Sequence, residues 1–167
     1  MQLPPGRAGP AGLEPDGTPG QWYLHLFDVK QPDLDWTNPE VRAEFESVIR
    51  FWLDRGVDGF RIDVAHGMVK AEGLPEWTAE QELLHGADAH AVKPPYWDQE
   101  GVHDIYRDWH RIVDKYDGDR VLVAEAWVEP AERLARYVRN DELHQSFNFS
   151  YLVTPWRAED LREVITT

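Results

Sequence analysis

The chain has 167 residues, enough for one domain with its own core, and a formal net charge of −14. That charge disfavours nucleic acid and anionic membranes as partners, because both are bound through basic patches. There is no cysteine, which excludes a disulfide framework and thiolate chemistry, and no apolar run approaches the roughly 18 residues of a membrane span.

Residues 1–20 are rich in Pro, Gly and small side chains without a period of 2 or 3.6. They read as an irregular or disordered N-terminus that lacks the apolar core of a signal peptide. From Gln21 to Thr167 the pattern is that of one α/β domain. Trp22–Phe27 predicts a short strand, and Asp28–Trp36 a turn-rich loop around Gln31-Pro32-Asp33-Leu34-Asp35. Asn38 or Thr37 is suited to cap a helix that opens on Pro39 and stops at Gly56. Val41, Phe45, Val48, Ile49, Trp52 and Leu53 fall on one face of it at spacings of three and four.

Gly56–Val64 then reads as a strand, with Phe60 and Ile62 on one side and Arg61 and Asp63 on the other. The period of two sets the guanidinium beside the carboxylate. Two readings are open at this point: a structural ion pair, or an ionised acid at the mouth of a parallel barrel. About 35 residues without a period follow, from Ala65 to about Gly101, and loops of that length are usually functional. In it Trp77, Tyr96 and Trp97 either line a sugar site or pack the loop onto its scaffold. His85 and His90, with Asp88 between them, match no firm ligand spacing and read as solvated loop residues, so no metal site is expected.

Val102, Ile105, Tyr106, Trp109, Ile112, Val113 and Tyr116 form the stripe of a second helix, ended at Asp117-Gly118. The run Val121–Trp127 predicts a strand buried on both faces. Pro130 begins a further helix with Leu134, Tyr137 and Val138 inward. Ser146–Phe149 reads as a third short strand, and Thr154-Pro155 caps a last helix through Leu161, Val164 and Ile165. This alternation is that of a parallel α/β sheet, open or closed into a barrel.

Asp63 and Glu125 are 62 positions apart yet occupy equivalent strand ends. Neighbouring parallel strands lie about 4.8 Å apart. If the two strands pair, the carboxylates approach the roughly 5–5.5 Å separation of a retaining glycosidase, with one acid as nucleophile and one as acid/base. Arg61 is expected to keep Asp63 ionised. Glu125, beside that charge and after an apolar run, is expected to hold its proton more readily. Two unrelated acidic strand ends is the alternative.

Gly59-Phe60-Arg61-Ile62-Asp63-Val64-Ala65-His66 resembles the nucleophile motif at the fourth barrel strand of the α-amylase family, glycoside hydrolase family 13. Glu125-Ala126-Trp127 resembles its acid/base motif at the fifth strand. Gln31–Asp35 is similar to a motif of the oligo-1,6-glucosidase and α-glucosidase branch, with Asp35 where Asn is usual. Tyr23–Phe27 and Phe147–Phe149 fit that branch too. The resemblance implies a part of a (β/α)₈ barrel, about strands 4 to 6, preceded by the end of an inserted loop domain. It implies Asp63 as nucleophile, Glu125 as acid/base and Arg61 as the residue that orients Asp63. Val64, His66 and Trp127 would lie at the substrate, and Val64 is the type associated with α-1,6 links.

The resemblance further implies that the family's third-strand motif, its seventh-strand His-Asp motif and any calcium or magnesium loop fall outside this chain, so that no cofactor is expected within it. The implied activity is retaining hydrolysis of terminal α-glucosidic bonds in short oligosaccharides. The expected partners are that substrate and the missing barrel halves, in the cytoplasm, with the isolated chain inactive. A transglycosylase, or a sucrose or trehalose isomerase, uses the same two acids and is the alternative. A non-catalytic interaction module of the same fold is a third reading.

Overall fold

The structure is a computed structural model that describes residues 6–8 (backbone only), 23–28, 30–75 and 94–166. Trp22, Trp77, His85, Asp88 and His90 lie outside the described residues. The chain divides into two compact units, residues 1–35 with 78–81, and residues 36–77 with 82–167. The division falls after Asp35, whereas the composition suggested a boundary after residue 20.

In the first unit, strand β1 (Gly6–Ala8) pairs antiparallel with β2 (Tyr23–His25), Gly6 opposite His25. A segment expected to be irregular therefore contains a strand. The Gln31–Asp35 motif folds back on β2. The Asp33 N–H donates to Leu24 O at 2.8 Å, while its carboxylate accepts from the Leu26 N–H at 2.7 Å.

The second unit starts from helix α1 (Pro39–Leu53), opened as its sequence dictates: Asn38 accepts from the Glu40 N–H and Pro39 takes the first position. Gly56, at φ 89°, makes the turn into β3 (Gly59–Ile62). Helix α2 (Val102–Val113) leads to β4 (Val121–Ala124). A short α3 (Ala131–Leu134) continues as a 3₁₀ turn and precedes β5 (Gln145–Ser146), then α4 (Phe149–Val153) and α5 (Ala158–Thr166).

Strands β3, β4 and β5 form a parallel sheet in that order, Gly59 opposite Val121 and Val123 opposite Gln145. The α/β class and the parallel sheet are as expected. Gly59 is required by the pairing: a Cβ there would sit 2.1 Å from the Val121 carbonyl oxygen.

The core lies on the helix side of the sheet, where Ile49 and Leu53 of α1 meet Ile105, Tyr106 and Trp109 of α2 over Leu122 and Ala124. Every apolar residue of the α2 stripe from Val102 to Val113 is buried. Three expectations change. Val48 and Trp52 are exposed: six apolar residues span a wider arc of α1 than the sheet and α2 cover. Strand β4 buries Leu122 and Ala124 but leaves Val121 and Val123 half-exposed, so its burial is one-sided. Ser146–Phe149 is not a strand throughout. The strand itself ends at Ser146; the backbone stays extended to Asn148, whose side chain accepts from the Tyr151 N–H at 2.8 Å and starts α4.

Candidate active site

Register places Asp63 beside Glu125. Ile62 is paired with Ala124, so the next residue on each strand is a carboxylate, and the Glu125 N–H donates to Ile62 O at 3.0 Å to extend the pairing. Residues paired in register share a face, which sets Arg61, Asp63 and Glu125 on the side opposite the helices.

One guanidinium serves both acids. Arg61 Nη1 donates to Asp63 Oδ1 at 2.7 Å, and Nη2 to Glu125 Oε2 at 2.8 Å. The sequence suggested a partnership with Asp63 alone. The hydrogen bond to Asp63, with the charges of Glu125 and Asp63, raises the affinity of Arg61 for its proton further. The Asp63 side chain is 72% exposed and that of Glu125 21%, so the first is open to solvent while the second is largely covered. The Phe147 ring lies 5.9 Å from the Arg61 guanidinium carbon.

Val64 breaks the strand. Its φ and ψ are 45° and 47°, the left-handed region, where a β-branched residue is a true outlier. Its N–H donates to Glu125 Oε2 at 3.2 Å, and the next N–H, that of Ala65, donates to the Glu125 main-chain oxygen at 2.8 Å. The Tyr106 hydroxyl, from α2, donates to Ala65 O.

His66 is buried. Its ring packs on Trp97 at 4.8 Å, and Nδ1 accepts from the Trp127 N–H at 3.4 Å. Desolvation pushes the imidazole down to about 4, against the opposing charge of Asp98. It therefore supports the site from within and does not stand on the open face. Trp127 stacks on Phe149 at 3.7 Å and 11°, and the pair walls a cavity of about 130 Å³ with Val128, Leu134 and Val153.

The part of the long loop from residue 94 onward is packing, not an open aromatic platform. Tyr96 and Trp97 are buried, and Tyr96 donates to Pro75 O at 2.7 Å. Asp98, at φ 48°, gives its N–H to His66 O at 2.6 Å. Its carboxylate accepts from Arg133 Nε at 2.6 Å and from the Tyr137 hydroxyl at 2.7 Å. Sequence reading missed this brace. The available signal was an acidic residue directly after a Tyr-Trp pair, a type that tolerates positive φ.

Among the described residues, His110, Asp114 and His144 place three possible ligand atoms within 4.8 Å of one another. His144 Nδ1 accepts the Leu122 N–H at 3.1 Å, so its ring proton sits on Nε2. His110 donates from Nδ1 to Glu142 O at 2.5 Å and keeps one lone pair. One imidazole lone pair and one carboxylate fall short of the three protein ligands of even an open zinc site.

Residues 12–164 match the family model of the alpha-amylase catalytic domain. The chain is 51% identical over 143 residues to the oligo-1,6-glucosidase of Halalkalibacterium halodurans, covering 82% of this chain and 24% of that protein. It is 34% identical over 167 residues to the oligo-1,6-glucosidase of Parageobacillus thermoglucosidasius, covering 92% of this chain and 29% of that protein. A solved structure of the trehalulose synthase MutB of Pseudomonas mesoacidophila superposes with a TM-score of 0.71 at 30% identity, over 95% of this chain and 29% of that one. The chain thus spans less than a third of the length of these proteins.

Proposed function

This chain belongs to the alpha-amylase family, and from that premise we propose that it is the middle of a (β/α)₈ catalytic domain, about strands 4 to 6, of a retaining α-glucosidase. The observation that carries the reading is the shared guanidinium: Arg61 holds Asp63 and Glu125 at the ends of two paired parallel strands. Asp63, the more exposed acid, is the nucleophile toward the anomeric carbon. Glu125 protonates the leaving oxygen and later deprotonates the water that releases glucose. Trp127 and Val64 border the substrate, while His66 acts behind them. The substrate is a short α-linked glucose oligosaccharide, with α-1,6 and α-1,4 links as candidates, and the enzyme works in the cytoplasm without a cofactor held by this segment.

Apolar side chains such as Trp156, 87% exposed, and Leu152 and Ile165 support barrel segments beyond this one as its structural partners. The likeness to a trehalulose synthase favours a second reading, an isomerase or transglycosylase built on the same two acids.

The test is glucose release from isomaltose, maltose and a nitrophenyl α-glucoside. It is run on the 167-residue chain and on the protein extended to the length of its relatives, each with an Asp63→Asn control. Activity in the extended protein alone, abolished by the substitution, supports the reading. Conversion of sucrose to an isomer in place of hydrolysis favours the second.

A further inference from the structure

Oε1 and Oε2 of Glu125 are not equivalent. Oε2 accepts from Arg61 Nη2 at 2.8 Å and from the Val64 N–H at 3.2 Å. An extended Val64 would aim its N–H along the strand ladder. The left-handed turn instead brings two successive N–H groups, of Val64 and Ala65, onto one residue, the first to its carboxylate and the second to its carbonyl.

The turn is held from several sides. The Gly67 N–H closes on Val64 O at 2.8 Å, and the Tyr106 hydroxyl binds Ala65 O. Gly67 has no room for a side chain, since a Cβ there would lie 2.4 Å from the Trp97 ring and 2.9 Å from Val64 Cγ1. An outlier conformation this well supported points to a use.

We propose that Val64 is a positioning residue for Glu125. Its backbone N–H, with Arg61, occupies Oε2 and leaves the transferable proton on Oε1. This rests on the acid/base reading of Glu125. In the first step the Oε1–H bond breaks and the proton passes to the glycosidic oxygen. That oxygen keeps the electron pair of its broken bond to the anomeric carbon, which the Asp63 carboxylate takes up. The negative charge left on Glu125 is met by two donors already in place, with no rearrangement.

The test replaces the Val64 N–H by an ester oxygen, using the α-hydroxy analogue of valine introduced by nonsense suppression into the protein of full relative length. Two substrates are compared: isomaltose, whose leaving sugar needs the proton, and a nitrophenyl α-glucoside, whose phenolate leaves with little help. The expected result is a loss of about 10-fold or more in kcat on isomaltose and less than about 3-fold on the nitrophenyl substrate. Tyr106→Phe loosens the same turn without removing a packed ring, and is expected to shift the ratio in the ester's direction if the ester variant does not fold.

Equal losses on both substrates, in the ester or in Tyr106→Phe, overturn the proposal in favour of a purely structural turn. Glu125→Gln separates the two layers. If it hydrolyses isomaltose normally, the acid/base reading falls and this proposal with it. If it shows the leaving-group dependence while the ester does not, only the role of Val64 fails.

Discussion

Arg61 Nη2 lies 2.8 Å from Glu125 Oε2, across the boundary between two strands, while the same guanidinium holds Asp63 on its own strand. Only a planar fork binds two carboxylates in fixed directions at once; an ammonium is a point charge on a flexible stem. Arg61→Lys is therefore expected to lower kcat by roughly 10²-fold or more in the full-length protein. The thermal midpoint is expected to move little, because the Arg61 side chain is 48% exposed and its loss opens no cavity. Steady-state kinetics beside a melting curve check both halves.

Asp63→Asn removes the charge of the proposed nucleophile at an exposed position. Hydrolysis is expected to fall on the order of 10⁴-fold, with stability changed by less than about 0.5 kcal/mol. Urea unfolding of the variant, run alongside an isomaltose assay, separates chemistry from folding.

His66 ties stability to pH. The folded imidazole titrates at about 4, below its ordinary 6.5, because burial disfavours the cation. Between these values the unfolded chain binds the proton and the folded chain does not. Stability is thus full above about pH 6.5 and declines as pH falls toward 4, at up to about 1.4 kcal/mol per pH unit. His66→Gln, which offers a neutral acceptor, is expected to flatten that slope relative to the native chain. Denaturant midpoints at pH 7, 6, 5 and 4 for both proteins give the difference directly.

Glu142 is fully buried and accepts from His103 Nδ1 at 2.6 Å, Arg107 Nη1 at 2.9 Å and Arg139 Nη1 at 3.4 Å. It binds α2 to the segment ahead of β5. Glu142→Ala leaves the buried His103 N–H without its acceptor and is expected to cost roughly 1–3 kcal/mol, read as a fall in the denaturant midpoint. The effect on the ratio of kcat between substrates is expected to be nil.

The parts of this molecule that follow local rules were legible in the sequence. Asn38-Pro39 and Gly56 bound α1 because a cap and a left-handed stop are decided within a few residues. The pairing of Asp63 with Glu125 was legible too, since it needs only two strands in register. What escaped depends on distant partners. Val64 continues an alternating strand pattern, and its left-handed turn is held by hydrogen bonds with Glu125 and Gly67 and, through Ala65, with Tyr106. Ser146–Phe149 alternates like a strand, yet the Asn148 side chain commits the chain to a helix. Asp98 is braced by Arg133 and Tyr137, more than thirty residues downstream, which no spacing rule announces.

Gly59 stands four residues before Asp63, where a side chain would collide with the Val121 carbonyl. A methyl group there would act as a wedge at the foot of two strands whose tips carry Asp63 and Glu125. Strands are stiff over so short a length, so a gap opened at the foot is transmitted to the tips. The spacing between Asp63 and Glu125 depends in this sense on a missing atom at the far end of the strand, so a substitution there would be felt at the two carboxylates.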